Sequence, residues 1–119
     1  MDNSAVDKSF DFAVRIVNLY KFMVSEHKEY VLSKQLLRSG TSIGANVAEA
    51  EKAQSNADFY SKLTISLKEA NESYYWLRLL YATQYLTKQE FESVENDVKE
   101  IISILVAITK TIKNNKQEF

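Results

Sequence analysis

The chain has 119 residues, 45% of them hydrophobic and 26% charged, which suits one globular domain, 1–119, and excludes a disordered chain. Two glycines and no proline leave too little turn punctuation for a sandwich or barrel, so the fold is expected to be all-α. No cysteine, a single histidine and a formal net charge of −1 exclude a disulfide framework, a multi-histidine metal cage and a global basic field.

Four amphipathic segments follow in chain order. In the first, 9–25, Phe12, Ile16, Leu19 and Met23 form one stripe at helical spacing. Phe10, Val14, Val17 and Val24 lie on an adjacent arc, so apolar residues cover roughly 200° of this helix, more than one bundle interior needs. A charged connector follows, in which His27 reads as a solvated loop residue. The second segment, 32–54, has Ser33 as its N-cap candidate. Gly40, Gly44 and Ala48 recur every four residues, a groove of small side chains that admits a close neighbour at a cost of roughly 1 kcal/mol per glycine. A phosphate-binding loop is set aside because GxxxxGK[ST] and a preceding strand are both missing.

The third segment, 56–82, opens with Ser55 as N-cap and Asp58 three residues on. Its inner stripe is Phe59, Leu63, Ala70, Tyr74, Leu77 and Tyr81. Trp76 falls on another side, and with Tyr74, Tyr75 and Tyr81 it is expected partly at a subunit contact. The fourth segment, 88–114, starts at the capping box Thr87-Lys88-Gln89-Glu90. From there Phe91, Val94, Val98, Ile101, Leu105, Ile108 and Ile112 alternate spacings of three and four, while Ile102, Ile104 and Val106 widen the apolar surface. Short polar connections between four long helices predict an antiparallel up-down-up-down four-helix bundle.

Arg38, Ser42, Asn46 and Glu49 share one face of the second segment. Folding back around 54–55 brings Arg38 level with Glu69 or Glu72, and Asn46 or Glu49 level with Lys62 or Phe59. These complementary pairs form either a structural network that fixes register or a ligand site. Arg38 is expected to meet Glu69 or Glu72 in a largely desolvated groove beside Gly40.

The run Gln35-Leu36-Leu37-Arg38-Ser39-Gly40-Thr41-Ser42-Ile43-Gly44-Ala45-Asn46-Val47-Ala48-Glu49-Ala50, with Asp58-Phe59, Lys62-Leu63 and 67–77, resembles the bacterial four-helix bundle family. These are also called the 23S ribosomal RNA intervening sequence proteins. Two positions depart from the family pattern: Ala50, where the run usually ends in Gly, and Gly40, where it usually has Ala. The resemblance implies an antiparallel four-helix bundle that assembles as a ring-like homopentamer. It extends to the accessory protein of diversity-generating retroelements, a basic pentamer that binds RNA and a reverse transcriptase.

The expected function is therefore a non-enzymatic homo-oligomeric scaffold or accessory factor. No cofactor, metal or catalytic set is expected: Glu69 and Glu72 stand without the helical histidines of a di-iron site, and Ser42 has no base within reach. The alternative is RNA binding through local clusters, since the sequence pI of about 5.9 differs from the basic relatives. The candidate contacts are Arg15, Lys21, Lys28, Lys34 and Arg38, or Lys110, Lys113 and Lys116. Partners are thus a second copy and either RNA or a protein. No membrane role is expected, and a cytoplasmic location is, because the amino terminus lacks a signal pattern and no run of ~18 apolar residues occurs.

Overall fold

The computed structural model describes the backbone of residues 3–117 and the side chains of residues 4–113. Four helices follow one another: α1 (Asn3–His27), α2 (Leu32–Glu51), α3 (Asn56–Ala82) and α4 (Lys88–Gln117). Each packs on its chain neighbour, and α4 closes the square against α1 through a much sparser seam. Pairs across the seams run in opposite directions. Gly40 meets Ile16 and Gly44 meets Ser9; Ser39 meets Ser73 and Ile43 meets Ser66; Tyr74 meets Glu95 and Tyr81 meets Phe91. The result is an antiparallel up-down-up-down four-helix bundle, 53 Å long and about 21 Å across.

The core takes one stripe from each helix. Phe12, Ile16 and Met23 of α1, Leu36, Ile43 and Val47 of α2, Leu63, Ala70 and Leu77 of α3, and Val98, Ile101 and Leu105 of α4 are all buried. Tyr81, placed on the inner stripe by its spacing, is instead 37% exposed and stacks on Phe91. The widened arcs divide: Phe10, Val14 and Val106 are 66%, 47% and 44% exposed, whereas Val17 and Val24 are half-buried and Ile102 and Ile104 pack against the core.

Helix ends differ from the sequence pattern where the signal is not apolar. α1 starts at Asn3 rather than 9 because its stripe continues through buried Ala5 and Ser9, small residues that barely register as hydrophobic periodicity. α2 stops at Glu51 rather than 54; the Lys52 and Ala53 N–H groups turn back on the Glu49 and Ala50 carbonyls and close the last turn.

Ser33 is not the cap of α2. It lies inside the first turn, and the Glu29 carboxylate takes its place, accepting from the N–H groups of Val31 (3.0 Å), Leu32 (2.7 Å) and Ser33 (2.7 Å). A carboxylate from outside the helix thus satisfies three orphan donors at the positive end of the macrodipole. Burial pushes the Glu29 carboxyl up, but these backbone donors and the Ser33 hydroxyl outweigh it and hold the group below the usual carboxylate range. The other two caps follow their sequence signals: Ser55 Oγ accepts from the Asp58 N–H, and Thr87 and Glu90 exchange bonds in a complete capping box.

Candidate functional site

The polar run of α2 lies along its seam with α3. Arg38 donates to Glu69 Oε2 at 3.2 Å and also to Glu72, while Lys62 Nζ stands 3.3 Å from Glu49. Ser42 and Asn46 do not cross the seam; Ser42 Oγ donates to the Arg38 carbonyl and Asn46 Nδ2 to the Ser42 carbonyl, each one turn back along α2. Beneath them the seam is held by serines: Ser73 Oγ donates to Ser39 Oγ (2.9 Å) and Ser66 Oγ to the Ile43 carbonyl (2.8 Å), all buried.

Two expectations about this face are corrected. The Arg38 groove is not largely desolvated, because the Arg38 side chain is 51% exposed and that of Glu72 37%. Gly40 is not beside it either. Residues four apart on a helix advance by about 40°, so Gly40 and Gly44 turn toward Ile16 and Ser9 of α1, and Ala48 has rotated out to solvent. Two neighbouring stripes therefore do separate jobs, with small residues admitting α1 and polar residues pinning α3.

The basic candidates do not converge. Arg15 is committed to α4, bonding Asp97 at 2.6 Å and both the side chain and carbonyl of Ser93. Lys28, in the left-handed region at φ 54°, donates to the Ser25 carbonyl. Lys21 and Lys34 are exposed on α1 and α2, Lys110 and Lys113 on α4, and the Lys116 side chain lies outside the described residues. His27 is not a loop residue but the last residue of α1, its ring edge-on to Phe22 at 5.4 Å and to Tyr85 at 5.7 Å.

The aromatic group of α3 divides. Tyr74 lies in the α3–α4 seam with its hydroxyl on Glu95 (2.7 Å), and Trp76 is half-buried against the core with its indole N–H enclosed and unpartnered among the described residues. Tyr75 and Tyr81 remain at the surface, 53% and 37% exposed, and with Arg78, Phe91 and Glu95 they border a shallow cleft of about 380 Å³. Arg78 and Lys99 both stand within 6 Å of the Tyr74 ring centre. Neither cation was singled out by sequence, because the two meet at the Tyr74 ring only once α3 and α4 pack side by side.

Among the described residues no three His, Asp or Glu side chains come together as a metal site, and no helix is long and apolar enough to cross a membrane. The family model of the 23S rRNA-intervening sequence proteins matches residues 1–107. The chain belongs to this family. Its fold is also similar to a crystal structure from Bacteroides thetaiotaomicron, described as a protein of unknown function from the S23 ribosomal protein family. The two are 63% identical, with a TM-score of 0.88 over 89% of this chain and 98% of the other. No functionally curated protein matches the sequence.

Proposed function

We propose that this family member is a cytoplasmic, non-enzymatic homo-oligomer, a scaffold or accessory factor whose copies meet through the outer face of α1 and α2. The carrying observation is an uncharged band: Phe10 and Val14, 66% and 47% exposed, lie with half-buried Ala13 and Val17. On α2 the band continues through Leu37, Thr41, Ala45 and Ala48. The Thr41 hydroxyl bonds back to the Leu37 carbonyl, so its polar group is satisfied within α2. The charges of this stretch of α1, Asp11 and Arg15, turn to the α4 side. Covering what is still exposed of Phe10 and Val14 would contribute about 1–2 kcal/mol each, and so large an apolar side chain as Phe10 two-thirds in water fits a contact surface.

Light scattering on the full chain is the test. A mass several times 13.7 kDa at micromolar concentration is expected, with five copies matching the ring that the family resemblance implies. Phe10→Glu should lower that mass while leaving the helical circular dichroism intact. A wild-type monomer at that concentration would overturn the assembly.

A further inference from the structure

We infer that the outer face of α3 and α4 binds single-stranded nucleic acid, through lysines and Arg78 on phosphates and Tyr75 and Tyr81 on bases. Charge is distributed unevenly over this protein. Among the described residues the face carries six cations, Lys68, Arg78, Lys88, Lys99, Lys110 and Lys113, against three carboxylates, Glu72, Glu92 and Glu95. All three carboxylates are already answered, Glu72 by Arg38, Glu92 by Lys88, and Glu95 by Lys99 and the Tyr74 hydroxyl. Lys68, Arg78, Lys110 and Lys113 are exposed and have no carboxylate partner among the described residues. With a chain total of −1, the rest of the molecule is net negative, so an anionic polymer meets attraction on this side and repulsion elsewhere. The face thus has a basic footprint that the overall pI conceals.

Aromatic rings interleaved with these cations narrow the ligand class. Tyr75 and Tyr81 are separated by about 9 Å along α3, both open to solvent, and Tyr81 is backed by the parallel ring of Phe91 at 4.5 Å. Arg78 lies between them in sequence, its guanidinium 5.8 Å from the Tyr74 ring, and a planar cation offers a further stacking surface. Exposed rings alternating with cations suit unstacked bases joined by phosphates. A duplex hides its bases and would use the lysines alone, and an acidic peptide would leave the tyrosines without partners. From Lys88 to Lys113 the lysines extend over about 38 Å of helix, room for several nucleotides.

The test is fluorescence anisotropy of a labelled 20-nucleotide single-stranded RNA of mixed sequence with the full chain over a range of salt. The four unpaired cations predict a log–log salt slope of roughly −3, at about −0.7 per phosphate contact. Tyr75→Ala should weaken binding about ten-fold with the slope unchanged, since stacking is lost and charge is not. Arg78→Glu and Lys110→Glu should weaken binding and flatten the slope, whereas Lys52→Glu, the same charge change at the end of α2, should do neither. Absence of binding at low salt would overturn the inference. So would full competition by polyglutamate or duplex RNA, an unaffected Tyr75→Ala, or an equal loss in Lys52→Glu.

Discussion

Arg38 bridges Glu69 and Glu72 with half of its own side chain in water, and that exposure decides what the most conspicuous residue of the α2 motif contributes. Exposed pairs are screened and typically supply less than about 1 kcal/mol, against about 3–5 when a partner is stranded in a dry site. Arg38→Ala should therefore cost about 1 kcal/mol in urea melts. Combined with Glu72→Ala, it should show a small coupling in the double-mutant cycle; a loss above about 3 kcal/mol would mean that the groove closes in solution. Glu29 is the weightier group. Its carboxylate is buried on three N–H donors, so Glu29→Gln is expected to lose about 2 kcal/mol at neutral pH. Because the folded-state pKa of Glu29 is depressed, its contribution is fully present above the ordinary carboxylate value of 4.5 and is lost as pH falls through the folded value. The stability difference between wild type and Glu29→Gln should accordingly shrink in acid, and a difference independent of pH would refute the charged cap.

At the level of the helices, the close approach of α1 to α2 depends on Gly44, where an added Cβ would lie 3.1 Å from the Ser9 carbonyl oxygen. Main chain cannot rotate away as a side-chain tip can, so the steric cost should exceed the roughly 1 kcal/mol that alanine gains in helix propensity. Gly44→Ala is expected to destabilise by about 1–2 kcal/mol in denaturant melts, and a stabilised variant would show that α1 shifts freely. The four helices were legible in the sequence because large apolar residues repeat at helical spacing, and the α3 and α4 starts because Ser55 and Thr87 obey local capping rules. The α2 start at 32 was legible too, but its cap was not, since Glu29 caps it from outside the periodic segment and Ser33 only mimics a cap. The split of the α2 motif into an α1-facing small stripe and an α3-facing polar stripe was equally hidden. Spacings of four look like one face over two turns, and only the accumulated rotation separates Gly40 from Ala48. Lys68, Arg78 and Lys99 become one patch only when α3 and α4 lie side by side, which no local pattern announces.

For the molecule as a whole, the four seams are unequal. α2 is held on both sides by close approach, with glycines against α1 and buried serines against α3. The α1–α4 seam packs sparsely, and what spans it at the surface is charged: Lys8 with Glu100 and Arg15 with Asp97, side chains 40–52% exposed. The Glu100 carboxylate holds the Lys8 ammonium above its usual pKa, yet so exposed a pair adds little against opening. Local opening follows the weakest packing, so α4 should be the first helix to separate, swinging away from α1 while the α1–α2–α3 unit persists. Hydrogen exchange read by mass spectrometry is expected to show α4 amides exchanging faster than those of α2 at equal distance from the helix ends. Assembly through the α1–α2 face would widen the contrast, because it shields α2 and leaves α4 uncovered. If α4 proved as slow to exchange as α2, the fourth seam would be as strong as the other three, and the sparse packing between α1 and α4 would have no consequence for stability.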